Sequence, residues 1–448
     1  MTVTSIVWFR RDLRLHDNPA VQRAAQAGNR VLPIFVIDPA LVRPSGEVRL
    51  AFMYRSLREL DAALDGRLVV RLGDPERVVG EIAREVGAAE VVVSRDYAPY
   101  GRARDARVAA ALRADGAELI GSGSPYAVPP GAVVKTDGSP YSVFTPFFRA
   151  WSAKGWADPS ERADIEWCAA RSVRTDDIPT DPFVAAELPP AGEDAAHRRW
   201  AEFLEDGIAR YATDRNTPAE PGTSRLSPYL RWGQLHPRQL LADLHRAGHD
   251  SAGAETFRKE LGWREFYADV LFHRPESARE DLQKRIGAII TDTDAAARVR
   301  FDRWAAGTTG FGIVDAGMRQ LLATGWMHNR VRMITASFLV KDLHLPWQWG
   351  ARHFMRHLVD GDLASNQHGW QWTAGTGTDA APYFRVLNPT LQSERFDPSG
   401  EYIRRWVPER RDVQGAAIHR PRDPIVDHAV ERAEALQRYA AASGRYPR

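Results

Sequence analysis

The first 125 residues alternate short apolar, β-branched runs with segments of helical periodicity, and this pattern restricts the fold more than any other feature. The runs are SIVWF, VLPIFVI, RLVVRL, EVVVS and AELIG. Strands that alternate with helices predict βαβ units and a parallel sheet. The turn after the first run, FRRDLRLHDN, has no Gly-rich phosphate-binding sequence. The fingerprint of a Rossmann dehydrogenase is therefore missing where it should stand.

The remaining chain changes character twice. Pro and Gly recur from residue 126 to 195 and periodicity fades, which predicts a long ordered connector with some helix, wrapped over the surface. Helical periodicity returns after that. We expect an α/β plus all-α protein: a doubly wound parallel-sheet domain at 1–125, an interdomain connector at 126–195 and a helical domain at 196–448.

Composition limits the classes of protein that remain. The chain has 448 residues, enough for two or three domains, with 44% hydrophobic and 26% charged residues, as in soluble globular proteins. Its single cysteine, Cys168, fits a reducing cytoplasm, and neither a signal peptide nor a membrane span is apparent. The net charge of +2 requires that any nucleic-acid partner meet a local concentration of basic residues.

Tryptophan is unusually frequent, with 14 residues that crowd towards the second half of the chain. A buried indole N–H needs a hydrogen-bond partner, so core packing alone rarely uses so many. Stacking surfaces and redox relays are the alternatives.

The segment AETFRKELGWREFYADV places Phe257, Glu260, Trp263, Arg264 and Tyr267 on one helical stripe. In one interpretation Glu260 and Arg264 form a surface i,i+4 pair and Trp263 packs in the core. In the other, the stripe is a pocket wall, where Trp263 offers a flat face to a base and Glu260 a proton. Spacing does not decide between them.

The segment GWMHNRVRM places Asn329, Arg332 and Met333 on one face and Arg330 on a neighbouring face. This mixture is unusual for a core and is typical of a site for a polar planar ligand. The Thr223–Ser227 segment either caps a helix or binds phosphate at the helix start.

Metal binding is not expected. Asp360 and Asp362 provide few oxygen ligands for a hard cation, and an Asp can equally pair with an arginine. His353 and His357 have the spacing of a zinc half-site but lack the Glu of HExxH.

The order of the motifs is more specific than any one of them. WFRRDLRLHDN, PGTSRLSPYLRWG, ELGWREFY, TGFGIVDAGMRQL, TGWMHNRVRMITASFLVKDL and DGDLASNQHGWQWTAGTGTDAAPYFR together resemble the photolyase/cryptochrome family. Within it they are similar to the class I cyclobutane pyrimidine dimer photolyases of microbes. The resemblance covers nearly the whole chain. It implies an antenna domain, a connector and a helical domain that holds a U-shaped FAD.

The resemblance also implies site residues. Contacts with FAD are expected from Tyr211, Thr223, Ser224, Arg225, Leu226, Ser227, Phe257, Glu260, Arg264, Asn329, Arg332, Asp360, Asp362 and Asn366. Contacts with the lesion and its DNA are expected from Arg215, Trp263, Asn329, Arg330, Met333, Trp372, Arg385 and Gln392. Catalytic roles fall to Glu260, Asn329 and Asn366, the last near flavin N(5).

The implied activity is light-driven repair of UV-damaged DNA by a cytoplasmic, monomeric enzyme that uses no metal. The dimer leaves the base stack, as in other base-flipping enzymes. Trp263 and Trp372 stack on it, and Glu260 and Asn329 hydrogen-bond its carbonyls. Glu260 must be protonated to donate, and burial raises the pKa of a carboxyl group.

Two other functions remain open. One is a cryptochrome-like blue-light photoreceptor with little or no repair activity, and the other is a helical DNA-binding protein without photochemistry. Asn329 stands where enzymes for (6-4) photoproducts have His, and Glu260 where plant-type cryptochromes commonly have Asp. The final segment, DPIVDHAVERAEALQRYAAASGRYPR, predicts a helix and not a signalling tail. These features favour repair.

The antenna pigment is a further expectation. Folate-binding members have Asn-Glu where this chain has Tyr100-Gly101. RDYAPYGRARD is instead similar to members that bind 8-hydroxy-5-deazaflavin, with Phe35, Arg49 and Asp96 as matching positions. Methenyltetrahydrofolate and an empty pocket are the alternatives.

One position departs from the family pattern. The family relay passes an electron from Trp347 to Trp370 and on to the flavin, and a third, surface Trp precedes the residue matching Trp304 by about ten positions. That position is Asp294 here. We expect slow or incomplete photoreduction unless Trp304 or Trp349 substitutes.

Overall fold

The computed structural model describes residues 5–27, 30–169, 173–248, 251–378 and 384–444. In this part of the chain five parallel strands lie in the order β3-β2-β1-β4-β5, and a short sixth strand pairs with β2. The five strands predicted from the sequence are confirmed. The strands are β1 Ser5–Phe9, β2 Arg30–Ile37, β3 Val69–Leu72, β4 Glu90–Val93, β5 Glu118–Gly121 and β6 Glu166–Trp167.

Helices make up most of the remaining described chain. None of those described is long and apolar enough to cross a membrane. The helix that follows His328 continues as a π-helical segment at Phe338–Asp342. The α-helices are α1 Pro19–Ala27, α2 Pro39–Val42, α3 Glu47–Ala63, α4 Pro75–Val86, α5 Pro99–Ala114, α6 Phe144–Lys154, α7 Glu193–Asp206, α8 Tyr211–Asp214, α9 Ser227–Trp232, α10 Pro237–Arg246, α11 Ala252–His273, α12 Lys284–Gly287, α13 Ala295–Ala305, α14 Gly312–Thr324, α15 Asn329–Ser337, α16 Trp347–His357, α17 Leu363–Ala374, α18 Pro389–Phe396, α19 Glu401–Trp406 and α20 His428–Ser443.

Helices cover both faces of the sheet because successive side chains of a strand point in opposite directions. Ile6 and Trp8 of β1 pack in one core with α4 and α5. Val7 and Phe9 pack in a second core with α1 and α3, and that core continues into α7–α11. The predicted doubly wound arrangement is confirmed, and the helical region packs on one of its two faces.

The connector is more deeply integrated than the sequence indicated. Strand β6 joins the sheet beside the start of β2, and α6 buries Phe144 and Trp151 in the core that includes α11. Gly262 of α11 permits this approach, since a Cβ there would lie 2.6 Å from Cδ2 of Phe148. The connector therefore fixes the position of α11.

The polar turn after β1 joins the sheet to the helical region. The buried Arg14 donates from Nη1 to the carbonyl of Gly233 at 3.0 Å, and the N–H of Leu13 donates to the carbonyl of Trp232 at 3.1 Å. Gly233 has φ +66°, and a Cβ there would lie 2.0 Å from the carbonyl oxygen of Arg11. The turn thus contacts protein where a Rossmann turn would contact a nucleotide.

Glu265 of α11 is the main polar link to the connector. Its side chain accepts hydrogen bonds from the N–H groups of Ala127 and Val128, the latter at 3.0 Å, and from Nε1 of Trp151 at 2.6 Å. Glu265 is 2% exposed, and burial raises its pKa to about 7.

Replacement of Glu265 should therefore destabilise the protein strongly. Glu265→Ala leaves three donors without an acceptor in the interior, and we expect a loss of about 3 kcal/mol or more in the free energy of unfolding. Glu255→Ala is the matched control on the same helix, because the Glu255 side chain is 47% exposed. It should change stability by no more than about 0.5 kcal/mol. Urea unfolding measures both, and equal effects would contradict the structural role of Glu265.

Candidate functional site

Helices that are distant in sequence enclose a cavity of about 540 Å³ in the helical region. Its walls come from α8, α9, α11, α15, α16 and α17. Most of the site residues expected from the sequence meet here. Those that line the cavity are Tyr211, Arg215, Ser224, Leu226, Ser227, Phe257, Glu260, Trp263, Arg264, Asn329, Arg330, Arg332, Met333, Asp360, Asp362, Asn366, Trp370 and Trp372.

A few expected residues lie elsewhere. Thr223 and Arg225 do not line this cavity, and the Arg225 guanidinium lies 4.8 Å from the ring centroid of Trp326. Trp347 is buried beyond the cavity wall, in the same core as Trp370. Helix α9 begins at Ser227, but its N-cap residue is Leu226 and no side chain caps it, so the capping interpretation of the 223–227 segment is not met.

A second cavity, of about 600 Å³, adjoins the first and shares Arg330, Met333, Trp372 and Thr373 with it. No carboxylate is among the described residues that line it. Burial lowers the pKa of Lys341 to about 7, so the arginines supply most of the positive charge of this cavity. The basic residues and Gln392 that line it are Arg330, Lys341, Arg385, Gln392 and Arg395.

Eight arginine and lysine residues line the two cavities, although the net charge of the chain is only +2. Burial, followed by repulsion from Arg215 and Arg395, lowers the pKa of Arg330. Guanidinium groups that repel one another at a cavity mouth favour the approach of a polyanion.

The stripe on α11 lines the cavity, as in the second interpretation, and the surface pair of Glu260 with Arg264 is not formed. Glu260 forms an ion pair with Arg215 at 2.6 Å, whereas Arg264 donates to the carbonyls of Pro125 and Leu230. The Glu260 side chain is 30% exposed. The burial that was expected around Glu260 is therefore not found in the unbound protein.

Trp263 is held by a residue that sequence reasoning missed. Its ring stacks on Phe144 of the connector helix α6, with centroids 3.8 Å apart and an interplanar angle of 9°. Phe144 covers one face of the indole, and the Trp263 side chain also lines the cavity. Stacking from behind prepares the indole to receive a flat ligand on its other face.

The floor of the cavity is a buried ion cluster. Asp362 caps α17 by accepting a hydrogen bond from the N–H of Ser365, and it pairs with Arg11 from the turn after β1 at 2.6 Å. Burial opposes the charge of Asp362, but Arg11 and Arg231 hold its pKa well below the usual range. Burial lowers the pKa of Arg231 to about 9. Arg11 and Arg231 were not expected from the sequence.

Two buried polar atoms at this floor have no hydrogen-bond partner within the described chain. They are Nη1 of Arg231 and Oδ1 of Asp360, and both residues line the cavity. The other carboxylate oxygen of Asp360 forms the expected pair with Arg332, at 2.8 Å. Buried polar groups normally have partners, so an unpaired donor and an unpaired acceptor indicate a polar ligand.

The three antenna positions have partners inside the protein. The buried Arg49 donates from Nη1 to the carbonyl of Met355 at 2.6 Å, and burial lowers its pKa to about 10. Asp96 pairs with Arg104 at 3.3 Å, and Phe35 of β2 packs in the core that includes α1 and α3.

No group of three or more potential metal-ligating residues occurs in the described ranges. The rings of His353 and His357 lie 4.5 Å apart, and burial lowers the pKa of both side chains.

Sequence models of two families match the chain. The family described as DNA photolyase matches residues 5–164, and the FAD binding domain of DNA photolyase matches residues 257–441. A deoxyribodipyrimidine photo-lyase of Streptomyces griseus is 40% identical over 96% of this chain and 97% of that protein. The protein of the same name from Escherichia coli K12 is 39% identical over 98% and 99%. The chain belongs to the DNA photolyase family.

Solved structures agree with this assignment. A class III photolyase from Agrobacterium tumefaciens has a TM-score of 0.91 and 35% identity, and covers 99% of this chain and 98% of its own. A Synechocystis cryptochrome has a TM-score of 0.90 at 27% identity, over 98% and 99%. The predicted family and fold are confirmed, and with them a light-driven DNA-repair enzyme with an FAD-binding domain.

The residues of the photolyase cavity fit FAD. Arg231 Nη1 and Asp360 Oδ1 offer a donor and an acceptor, and the hydroxyl groups of Ser224 and Ser227 add further polar contacts. The cavity lies within the 300–1,000 Å³ range of cofactor sites. Asn366 and Trp370 on α17 line the same space.

Loss of Asp362 should impair cofactor binding. Asp362→Ala removes the carboxylate that neutralises Arg11 and Arg231, and an unpaired buried charge costs about 3–5 kcal/mol. We expect a lower melting temperature and a lower FAD-to-protein ratio, measured from the visible absorbance of the purified enzyme. Asp412→Ala, at an exposed position, is the control. Full FAD occupancy in Asp362→Ala would refute the role of this cluster.

Proposed function

We propose that this photolyase repairs cyclobutane pyrimidine dimers in DNA by light-driven electron transfer from reduced FAD, as class I enzymes do. The observation that supports the proposal most is the meeting of Glu260, Trp263 and Asn329 in one cavity. The arginine-lined second cavity at its mouth suits a DNA strand.

Recognition begins with the strand. Arg330, Arg385 and Arg395 contact phosphates, with Gln392 beside them, which makes binding salt-dependent. The dimer leaves the base stack and enters the cavity, at least cost because it is damaged. Trp263 and Trp372 stack on its bases, which contributes about 1–3 kcal/mol per base. Because Phe144 supports Trp263 from behind, little ordering of the indole is needed.

FAD, once reduced and excited by light, supplies the electron that splits the dimer. Glu260 and Asn329 hydrogen-bond the dimer carbonyls, whose negative charge grows in the reaction. In the unbound enzyme Glu260 is paired with Arg215. When DNA binds, Arg215 turns to a phosphate, and the dimer excludes water from Glu260. Glu260 is then left to face the dimer carbonyls without its arginine partner.

Two substitutions separate recognition from chemistry. Trp263→Ala should weaken binding of dimer-containing DNA by about 1–3 kcal/mol, and Trp263→Phe should restore part of it. Glu260→Ala should bind FAD and the dimer but repair with a lower yield. Filter binding gives the affinity, and repair per absorbed photon under near-UV or blue light gives the yield, with chemically reduced enzyme.

Three results would count against the proposal. Unchanged repair in Glu260→Ala would remove Glu260 from the mechanism, and unchanged affinity in Trp263→Ala would remove the stacking contact. A flavin-containing wild type that repairs no dimers under light would favour the photoreceptor function instead.

We further propose that 8-hydroxy-5-deazaflavin serves as the antenna, supported by the resemblance at Phe35, Arg49 and Asp96. A photolyase structure from Sulfolobus tokodaii, with a TM-score of 0.84 and 30% identity over 98% of this chain, contains two FAD molecules. Reconstitution with the deazaflavin should restore energy transfer to FAD, measured by fluorescence excitation. Transfer only with methenyltetrahydrofolate or with a second FAD would overturn the assignment.

A further inference from the structure

The position of the expected third Trp has a structural role of its own. Asp294 caps α13, and its side chain accepts a hydrogen bond from the N–H of Ala297 at 2.7 Å. No Trp occurs between Trp263 and Trp304 in the sequence. A relay of three tryptophans through position 294 is therefore excluded, and the relay needs another outer end.

Trp370 and Trp347 are connected through one helix. Trp370 packs directly on α16 at Gly350, where a Cβ would lie 2.1 Å from Cη2 of the Trp370 indole. Trp347 stands three residues before Gly350, so both positions share one face of α16. The two tryptophans are 3% and 4% exposed. Trp347 thus lies one helical turn from the contact that Trp370 makes.

The indole N–H of Trp347 has an acidic residue as its partner. Nε1 donates to Oδ1 of Asp281 at 2.8 Å, and both residues line a cavity of about 170 Å³. Trp304 also neighbours Trp370, with ring centroids 6.1 Å apart, but its Nε1 donates to the carbonyl of Thr335. A carbonyl oxygen cannot accept the proton outright, whereas a carboxylate can.

The loop that carries Asp281 is held against the Trp370 helix. The N–H of Leu282 donates to Oε1 of the buried Gln371 at 3.0 Å, and the N–H of Gln283 donates to the carbonyl of Thr376 at 2.8 Å. These bonds hold the Asp281 carboxylate at the indole before any reaction, so no side-chain search is needed.

We propose that Trp347 and Asp281 form the outer end of the photoreduction relay, by coupled loss of an electron and a proton. Trp370 would give one electron to a photoexcited oxidised flavin bound in the cavity, and Trp347 would then give one electron to Trp370. The Nε1–H bond of oxidised Trp347 breaks, and its proton forms an O–H bond on Asp281. This leaves a neutral Trp347 radical. The electron cannot return to Trp347 unless the proton also returns to Nε1.

An external thiol completes the cycle. A thiolate gives one electron to the Trp347 radical and becomes a thiyl radical, while the proton returns from Asp281 to Nε1. The electron gained by the flavin is then retained. The inference rests on the proposed function only in placing FAD beside Trp370. The inference replaces the expectation of slow photoreduction. Deprotonation of Trp347 would prevent the electron from returning, as a distal Trp would.

The test is Asp281→Asn, which keeps a hydrogen-bond acceptor for Nε1 but removes the base. Transient absorption after a flash should show the neutral Trp radical in wild type and the cation radical in the variant. The decay of the cation in wild type should slow in D₂O. Steady photoreduction with a thiol should fall on the order of ten-fold or more in the variant.

Glu280→Gln is the matched control. The Glu280 side chain is 60% exposed and pairs with Lys284, so its loss changes the local charge without touching Trp347. It should behave as wild type. FAD content and melting temperature, measured on every variant, show that each has folded.

Two outcomes would overturn the inference. One is a neutral radical and an unchanged rate in Asp281→Asn. The other is rapid photoreduction in Trp347→Phe, which would move the relay to Trp304. Repair by dithionite-reduced wild type is measured separately and needs no relay. Its absence would refute the proposed function while leaving the radical assignments intact.

Discussion

The ion cluster of Arg11, Asp362 and Arg231 is the interaction on which the rest of the site depends. Buried charges are costly unless they are paired, and Asp362 lies between two guanidinium groups. The pair with Arg11 spans 351 positions in sequence. The cavity floor therefore exists only when the turn after β1 is docked on the helical region. Two cations share one carboxylate, and the spare Nη1 of Arg231 is left for a ligand.

Helix α17 transmits this constraint to the chemistry. Asp362 caps its first turn, so the ion cluster fixes where the helix begins. Asn366 and Trp370 follow at four-residue intervals and thus share a face with the cap, and both line the first cavity. Trp372 points to a different side and lines both cavities. One helix thereby connects the turn after β1 with both cavities.

The elements whose structure depends on local periodicity were predicted from the sequence. The five strands, the stripe on α11 and the face of α15 follow from spacings of two, three and four residues, and the motifs placed most cavity residues together. Phe144, Arg11 and the pair of Arg215 with Glu260 could not be predicted in this way, because each is a contact between segments far apart in sequence. The Pro- and Gly-rich connector hid Phe144, since its local sequence does not show that its helix packs on Gly262 of α11.

Two buried indoles donate the same kind of hydrogen bond, and the two bonds have different roles. Trp151 donates to Glu265 and Trp347 to Asp281, so both have carboxyl acceptors. Burial raises the pKa of Glu265 to about 7, and its carboxyl group also accepts hydrogen bonds from the N–H groups of Ala127 and Val128, so this pair stabilises the fold. The pair of Trp347 with Asp281 has the same chemistry as the pair of Trp151 with Glu265 but a different location. It lies one helical turn from the contact of Trp370 and beside a cavity, which is where an electron and a proton can leave in different directions.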